Sequence, residues 1–249
     1  GKHAGDALTT GGNNVAIGFD SLSTEDEHGR NIAIGYNTLN ALNAGADAYN
    51  LAIGHNAGAS VSTGIENTII GGLAGDALTH ADFNVAVGYN SLGAETRGER
   101  NVAIGNSALA SQNNTSQGSI YNTSVGYYAG LSVTTGIQNT LIGGLSGDAL
   151  TDANYNTAVG YNSLGSATTS SYNTAIGHGA LSLTTVGDRN VAVGQGALQK
   201  NTEGDRNTAI GMESFHNLNI SSNADSYNTG LGFRTGYSVT TGTVNTLIG

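Results

Sequence analysis

The sequence predicts an all-β fold: a parallel β-roll or β-solenoid of about fourteen coils with a 17-residue repeat, running as a single repetitive segment over residues 1–249. Three observations predict it. A short core of Asn, Val or Thr, a small residue, Ile or Val, and Gly recurs along the whole chain, as at 14–18, 84–88 and 156–160. Its anchors are Asn14, Asn31, Asn50, Asn67, Asn84, Asn101, Asn122, Asn139, Asn156, Asn173, Asn190, Asn207, Asn228 and Asn245, and ten of the thirteen spacings are 17. Glycine supplies 39 of 249 residues and proline none, which disfavours helices and, without glycine at every third position, excludes a collagen triple helix.

One such unit cannot bury a core alone, whereas a stack of units can. Counted from the anchor, position +1 is mostly Val or Thr, which suits a strand. Position +3 is Ile, Val or Leu in every copy, as in Ile17, Ile34, Val87 and Leu231, and is expected to be a buried aliphatic column. Position +2 is usually Ala and points the other way in a strand, so both faces are expected to meet protein. Gly at +4, as in Gly18, Gly35, Gly88 and Gly160, suits a bend that ends the strand. The asparagine column, including Asn14, Asn31, Asn84, Asn101, Asn156 and Asn190, is expected to form a hydrogen-bonded ladder; a plain turn residue is the alternative.

Position +8 supplies a second apolar column: Leu22, Leu39, Leu92, Leu109, Leu164, Leu181, Leu198 and Phe215. In other copies it is Gly (Gly58, Gly75, Gly130, Gly147, Gly236), and Val or Leu stands three residues later, as Val61, Leu78, Val133, Leu150 and Val239. The apolar peg has moved within the coil, which a shared core requires. The longer spacings (one of 19, two of 21) place their extra residues in the loops 40–49, 110–121 and 216–227, on one edge of the stack. Gly1 and Gly249 share a phase of the repeat, and neither end carries a polar cap, so the chain reads as a window of a longer fibre.

Composition narrows the function. Eight basic against 18 acidic residues give a net charge of −10, which argues against binding a nucleic-acid backbone. The absence of cysteine removes disulfides and thiolate chemistry. No apolar run reaches membrane-spanning length, so no membrane insertion of this segment is expected.

The cores 14–21 and 84–91, reading NVAIGFDS and NVAVGYNS, resemble the head repeats of YadA-like trimeric autotransporter adhesins. The phrase NTAVGYNSLG at 156–165 is also similar to repetitive phage tail-fibre proteins. The resemblance covers the whole chain and implies a left-handed parallel β-roll whose three chains pack about one axis. It implies a homotrimer with the alanine column (Ala16, Ala33, Ala86, Ala103, Ala158 and Ala175) as the close-packed trimer face.

No G-x-S-x-G, P-loop, H-E-x-x-H or EF-hand pattern occurs, so neither a catalytic centre nor a cofactor is expected. The six histidines lack metal-ligand spacing and read as solvated turn residues. Asp6, Asp76 and Asp148 recur in phase; turn hydrogen bonds are the preferred role over calcium between chains. Glu95, Glu99, Asp188 and Asp205 read as solubilising charge.

Twelve of fifteen aromatics fall in two columns. Before the anchor stand Tyr49, Phe83, Tyr121, Tyr155, Tyr172 and Tyr227, sharing that column with Arg30, Arg100, Arg189 and Arg206. After the glycine stand Phe19, Tyr36, Tyr89, Tyr127, Tyr161 and Phe233. Stacking along a ladder is expected; a sugar- or surface-binding stripe using Tyr36, Tyr89, Tyr161, Tyr121, Tyr172 and Tyr227 is the functional reading. The expected function is therefore a structural extracellular fibre or adhesin shaft on a cell surface or virion, mediating attachment to a host or surface. The alternative is a glycan-binding module using loops and the tyrosine stripe. An ice-binding solenoid would need a regular Thr array that the mixed Val/Thr column does not supply, and a depolymerase would need paired acids on one coil.

Overall fold

A computed structural model describes residues 1–222 and 224–249. The chain is a parallel β-solenoid of fourteen coils, and its described residues contain no helix. It divides into two compact units, Gly1–Asn122 and Thr123–Gly249.

The first unit holds the repeat strands Val15–Ile17, Ile32–Ile34, Leu51–Ile53, Thr68–Ile70, Val85–Val87 and Val102–Ile104. The second holds Thr123–Val125, Thr140–Ile142, Thr157–Val159, Thr174–Ile176, Val191–Val193, Thr208–Ile210, Thr229–Leu231 and Thr246–Ile248. Within each unit, consecutive strands pair in parallel, and each residue stands opposite its own repeat equivalent: Ala86 opposite Ala103, Ala158 opposite Ala175. The 21-residue coil at 101–122 adds a short parallel pair, Gly98–Glu99 with Gly118–Ser119, and the one at 207–228 a single bridge between Asp205 and Asp225. Both insertions extend the coil outward without breaking the ladder.

Three residues per strand are enough because the glycine at +4 turns the chain at once. Gly160 sits at φ +132, outside the range of side-chain-bearing residues, and a Cβ there would lie 2.7 Å from the carbonyl of Gly177 on the next coil. The bend is tighter than the sequence alone reveals. In the coil anchored at Asn156, Tyr155, Asn162 and Leu164 also adopt left-handed backbone, at φ +60, +53 and +55. The same three positions are left-handed in coil after coil, so one turn of the solenoid is three strand residues joined by a chain of tight turns.

The alternation of the strand decides the core, and here one expectation is corrected. Position +2 points inward, while +1 and +3 point outward. Ala33, Ala86, Ala103, Ala158 and Ala175 are fully buried inside their own coil, with Ala16 half-buried on the first strand. They are not a surface available to another chain. The +3 column, expected to be buried, faces out: Ile17 is 56% exposed, Ile142 38% and Ile210 40%. The reason is volume. The interior also holds the anchor Asn, the small +7 residue and the +8 or +11 pegs, at or near zero exposure except in the end coils, where Asn14, Val239 and Asn245 are half-buried. A large residue at every +2 would overfill that space.

The exceptions show the fit. Ile69 and Leu141 stand at +2 only where +8 is Gly75 and Gly147; a Cβ on Gly147 would lie 2.7 Å from Leu141 Cδ2. Phe215, the largest buried side chain, is matched by Gly230 at +2 and Gly236 at +8 of the following coil. A Cβ on Gly230 would lie 2.7 Å from the Phe215 ring. The moved pegs Val61, Leu78, Val133 and Leu150 are fully buried as expected. Each buried aliphatic contributes about 1.5–3 kcal/mol.

Gly230→Ala is therefore expected to lower stability by about 1–3 kcal/mol through overpacking. Adding Phe215→Leu, which recreates the Leu/Ala pairing of ordinary coils, is expected to recover most of that loss; thermal denaturation of the two variants measures both effects.

Candidate functional site

The asparagine ladder is the innermost polar feature. Within each unit, an anchor's Oδ1 accepts the backbone N–H of the next anchor: Asn31 to Asn14 at 2.9 Å, Asn101 to Asn84 at 2.9 Å, Asn190 to Asn173 at 2.9 Å. The Nδ2 donates to a turn carbonyl of the following coil, as from Asn50 to Gly64 O (2.7 Å) and from Asn156 to Ser170 O (2.8 Å). The anchors from Asn31 to Asn228 are essentially inaccessible. This is a structural spine, and its side chains are spent on the fold.

Contact with other molecules falls to three exposed features: the outer sheet face, the edge ladders and the loop edge. The outer face carries the +1 and +3 side chains. In the second unit these are Thr at seven of eight strands, with Val191 the exception, beside a column of Val125, Ile142, Val159, Ile176, Val193, Ile210, Leu231 and Ile248. The first unit has Val15, Ile32, Leu51, Thr68, Val85 and Val102 beside Ile and Val. In both units this repeating, mostly β-branched face is left half open to water.

The aromatic ladders form as expected. Arg30 lies 5.3 Å from the Tyr49 ring centre and donates to its hydroxyl at 2.7 Å. Arg100 lies between Phe83 (4.8 Å) and Tyr121 (6.0 Å). Tyr155 stacks on Tyr172 at 4.9 Å, and Arg189 lies 5.2 Å from Tyr172. Arg206 pairs with Asp225 and lies over Tyr227. Along the other edge, Phe19, Tyr36 and His55 stack within 9° of parallel at 5.4 and 5.1 Å. Tyr161 stacks on His178, and the Tyr89 ring lies against Gly72. The stacked rings spend faces on one another, while their edges and hydroxyls stay open: Tyr172 is 51% exposed. Four histidines are not simply solvated: His55 and His178 join these stacks, His216 stacks on Tyr237, and His3 packs tilted against Phe19.

The acidic residues divide. Glu95 is fully buried, which corrects the reading of it as solubilising charge. Its carboxylate accepts N–H groups from Thr96 (2.8 Å), Gly98 (2.8 Å) and Asn114 (3.0 Å), and side-chain amides from Gln112 (2.9 Å) and Asn114 (2.9 Å). Gln112 passes the network on by accepting from Asn122 at 2.8 Å. Glu25 is likewise buried and accepts the N–H of Ala44 in the 40–49 loop. Each glutamate thus holds the backbone of an inserted loop from inside, and Asn201 occupies the same repeat position before the third. Asp205 is also largely buried and accepts from the N–H of Asp188 at 2.7 Å.

Burial pushes the carboxyls of Asp76 and Asp148 above their ordinary value, against opposing hydrogen bonds from their own turn N–H groups. Those bonds fit the expected turn role. One Asp148 carboxylate oxygen is buried without a partner. No protein-family model, curated protein or solved structure matches the chain. Function therefore has to be read from the surfaces themselves.

The sequence reading missed one column and one hollow. Position +12 carries Thr134, Thr151, Thr168, Thr185 and Thr202 on consecutive coils, and the hydroxyls of the first four donate to the next coil's carbonyl at 3.1–3.3 Å. Their 17-residue spacing was the available signal. Where that rank reaches the 216–227 loop, a polar groove of about 660 Å³ opens, lined by Lys200, Asn217, Asn219, Ser221, Ser238, Thr240 and Thr241. It depends on an insertion and has no repeat signature.

Two outcomes are expected. Glu95→Gln presents an amide to a ring of donors, so stability falls by about 1.5–3 kcal/mol, and hydrogen exchange at the Asn114 amide accelerates. Asp148 has a raised folded-state pKa, so its charge opposes folding as pH rises above the ordinary 3.8. Asp148→Asn is expected to raise the melting temperature near about pH 7 and to leave it unchanged near about pH 3, where both forms are neutral.

Proposed function

We propose that this segment is a non-catalytic structural element of an extracellular fibre, a bacterial surface adhesin or a phage tail fibre, and that it self-associates as a homotrimer to position an attachment function. The observation that carries the reading is the outer face: one half-exposed aliphatic column, Ile or Val on thirteen coils and Leu231 on the other, with the alanines inside. A lone solenoid in water has no use for so much regular exposed Ile and Val, and burying it between copies releases about 25 cal/mol for each Å² of apolar surface covered. The resemblance to trimeric adhesin heads supplies the number three. The trimer contact is thereby moved from the alanine column to the +1 and +3 columns.

Direct glycan binding is the second reading, favoured by the polar groove around Asn217, Asn219 and Thr240. Its hydroxyl and amide lining suits sugar hydroxyls better than the mutually stacked tyrosines do.

Light scattering tests the first reading. A mass of about three times the 25.0 kDa chain is expected for the parent protein. A monomer with unchanged circular dichroism is expected for the double variant Ile142→Asp, Ile176→Asp. A monomeric parent, or a double variant that remains trimeric, overturns the outer-face trimer.

A further inference from the structure

We propose that the edge of the first unit at Tyr49, Glu66 and Phe83 is a binding slot for a guanidinium group, the side chain of an arginine on a partner polypeptide. The three residues hold the same repeat position on consecutive coils, just before Asn50, Asn67 and Asn84. Elsewhere this column carries aromatic rings, the arginines Arg30, Arg100, Arg189 and Arg206, and the uncharged Asn13, Gln138 and Val244, so Glu66 is its one carboxylate. Here the ladder carries a carboxylate between two rings, and the outer neighbours are already supplied: Arg30 lies against Tyr49 at 5.3 Å and Arg100 against Phe83 at 4.8 Å. Glu66 is exposed and makes no ion pair among the described residues. A hollow of about 350 Å³ opens at this point, lined by Tyr49 and Glu66.

The surrounding charge favours a cation. Asp82 lies near Glu66 and Glu99; burial holds its carboxyl above the ordinary value, against the Ile65 N–H and Arg100, and the charges of Glu99 and Glu66 add to the rise. Arg100 is the nearby cation, and it is committed to Glu99 at 2.5 Å. The chain itself displays the complement one step along the same ladder, where the Arg100 guanidinium lies between Phe83 and Tyr121 at 4.8 and 6.0 Å. A guanidinium between Tyr49 and Phe83 would repeat that sandwich and add a forked pair of hydrogen bonds to the Glu66 carboxylate. An ammonium would meet the charge without matching the flat slot, so arginine is selected over lysine.

The test is a titration of the full chain with Nα-acetyl-arginine amide, followed by the NMR shifts of the Tyr49 ring and the Glu66 side chain, with Nα-acetyl-lysine amide in parallel. Saturable shifts confined to Tyr49, Glu66 and Phe83 are expected. Binding is expected to weaken about five- to tenfold in Glu66→Gln and to vanish in Glu66→Arg. The latter fills the slot from within, at a left-handed backbone position that Arg30 and Arg100 already adopt on other coils, and is expected to raise the melting temperature. Shifts that do not saturate, shifts spread equally over Tyr121, Tyr172 and Tyr227, equal affinity for the lysine probe, or unchanged binding by Glu66→Gln would each overturn the proposal.

Discussion

In coil after coil the carboxamide oxygen of the anchor asparagine accepts the backbone N–H of the next anchor, at 2.9–3.2 Å. Asparagine alone can accept along the stack and donate sideways to the turn carbonyl from one short side chain. A buried N–H or C=O left without a partner costs about 1–3 kcal/mol, so each coil must return its chain to the same height and phase. The 17-residue period, the in-register strands and the left-handed turns all serve that return. Longer coils keep it by bulging outward and re-entering at the same point.

Once the coils are in register, the interior becomes a narrow channel in which neighbours along the stack share volume. Size is balanced both across neighbouring coils and within one. Phe215 is accommodated by two glycines of the next coil, and the pair Leu141 and Gly147 replaces the usual Ala and Leu. Glu25 and Glu95 extend the same logic to polar groups: a buried carboxylate is tolerated because inserted backbone surrounds it with donors. The first two inserted loops are thus tied to the core through a buried glutamate each.

What is left for recognition lies outside the channel. Stacking makes any side chain placed outward recur at strand spacing, so a single substitution pattern becomes a stripe. The outer β-branched face and the arginine–aromatic edges arise this way. The first is the face proposed to meet identical copies, since a repeating surface matches another of the same period. The second neutralises itself through cation–π contacts and ion pairs, and the proposed ligand slot is where a carboxylate, Glu66, stands between two rings.

The sequence by itself determined the all-β class, the number and phase of the coils, the asparagine ladder, the glycine bends and the aromatic–arginine columns. Each of these repeats every coil, and a pattern seen fourteen times carries its own explanation. Only the tertiary structure decided which strand face is inside. Alternation specifies two faces but not their assignment, and Ile is the more apolar residue, so Ile17 read as core and Ala16 as contact. The channel's width reversed that, because the Leu and Phe pegs already fill it. The burial of Glu95 was hidden for the same reason: its donors come from Thr96, Gly98 and the distant Asn114, and only the closed coil brings that inserted backbone around the carboxylate.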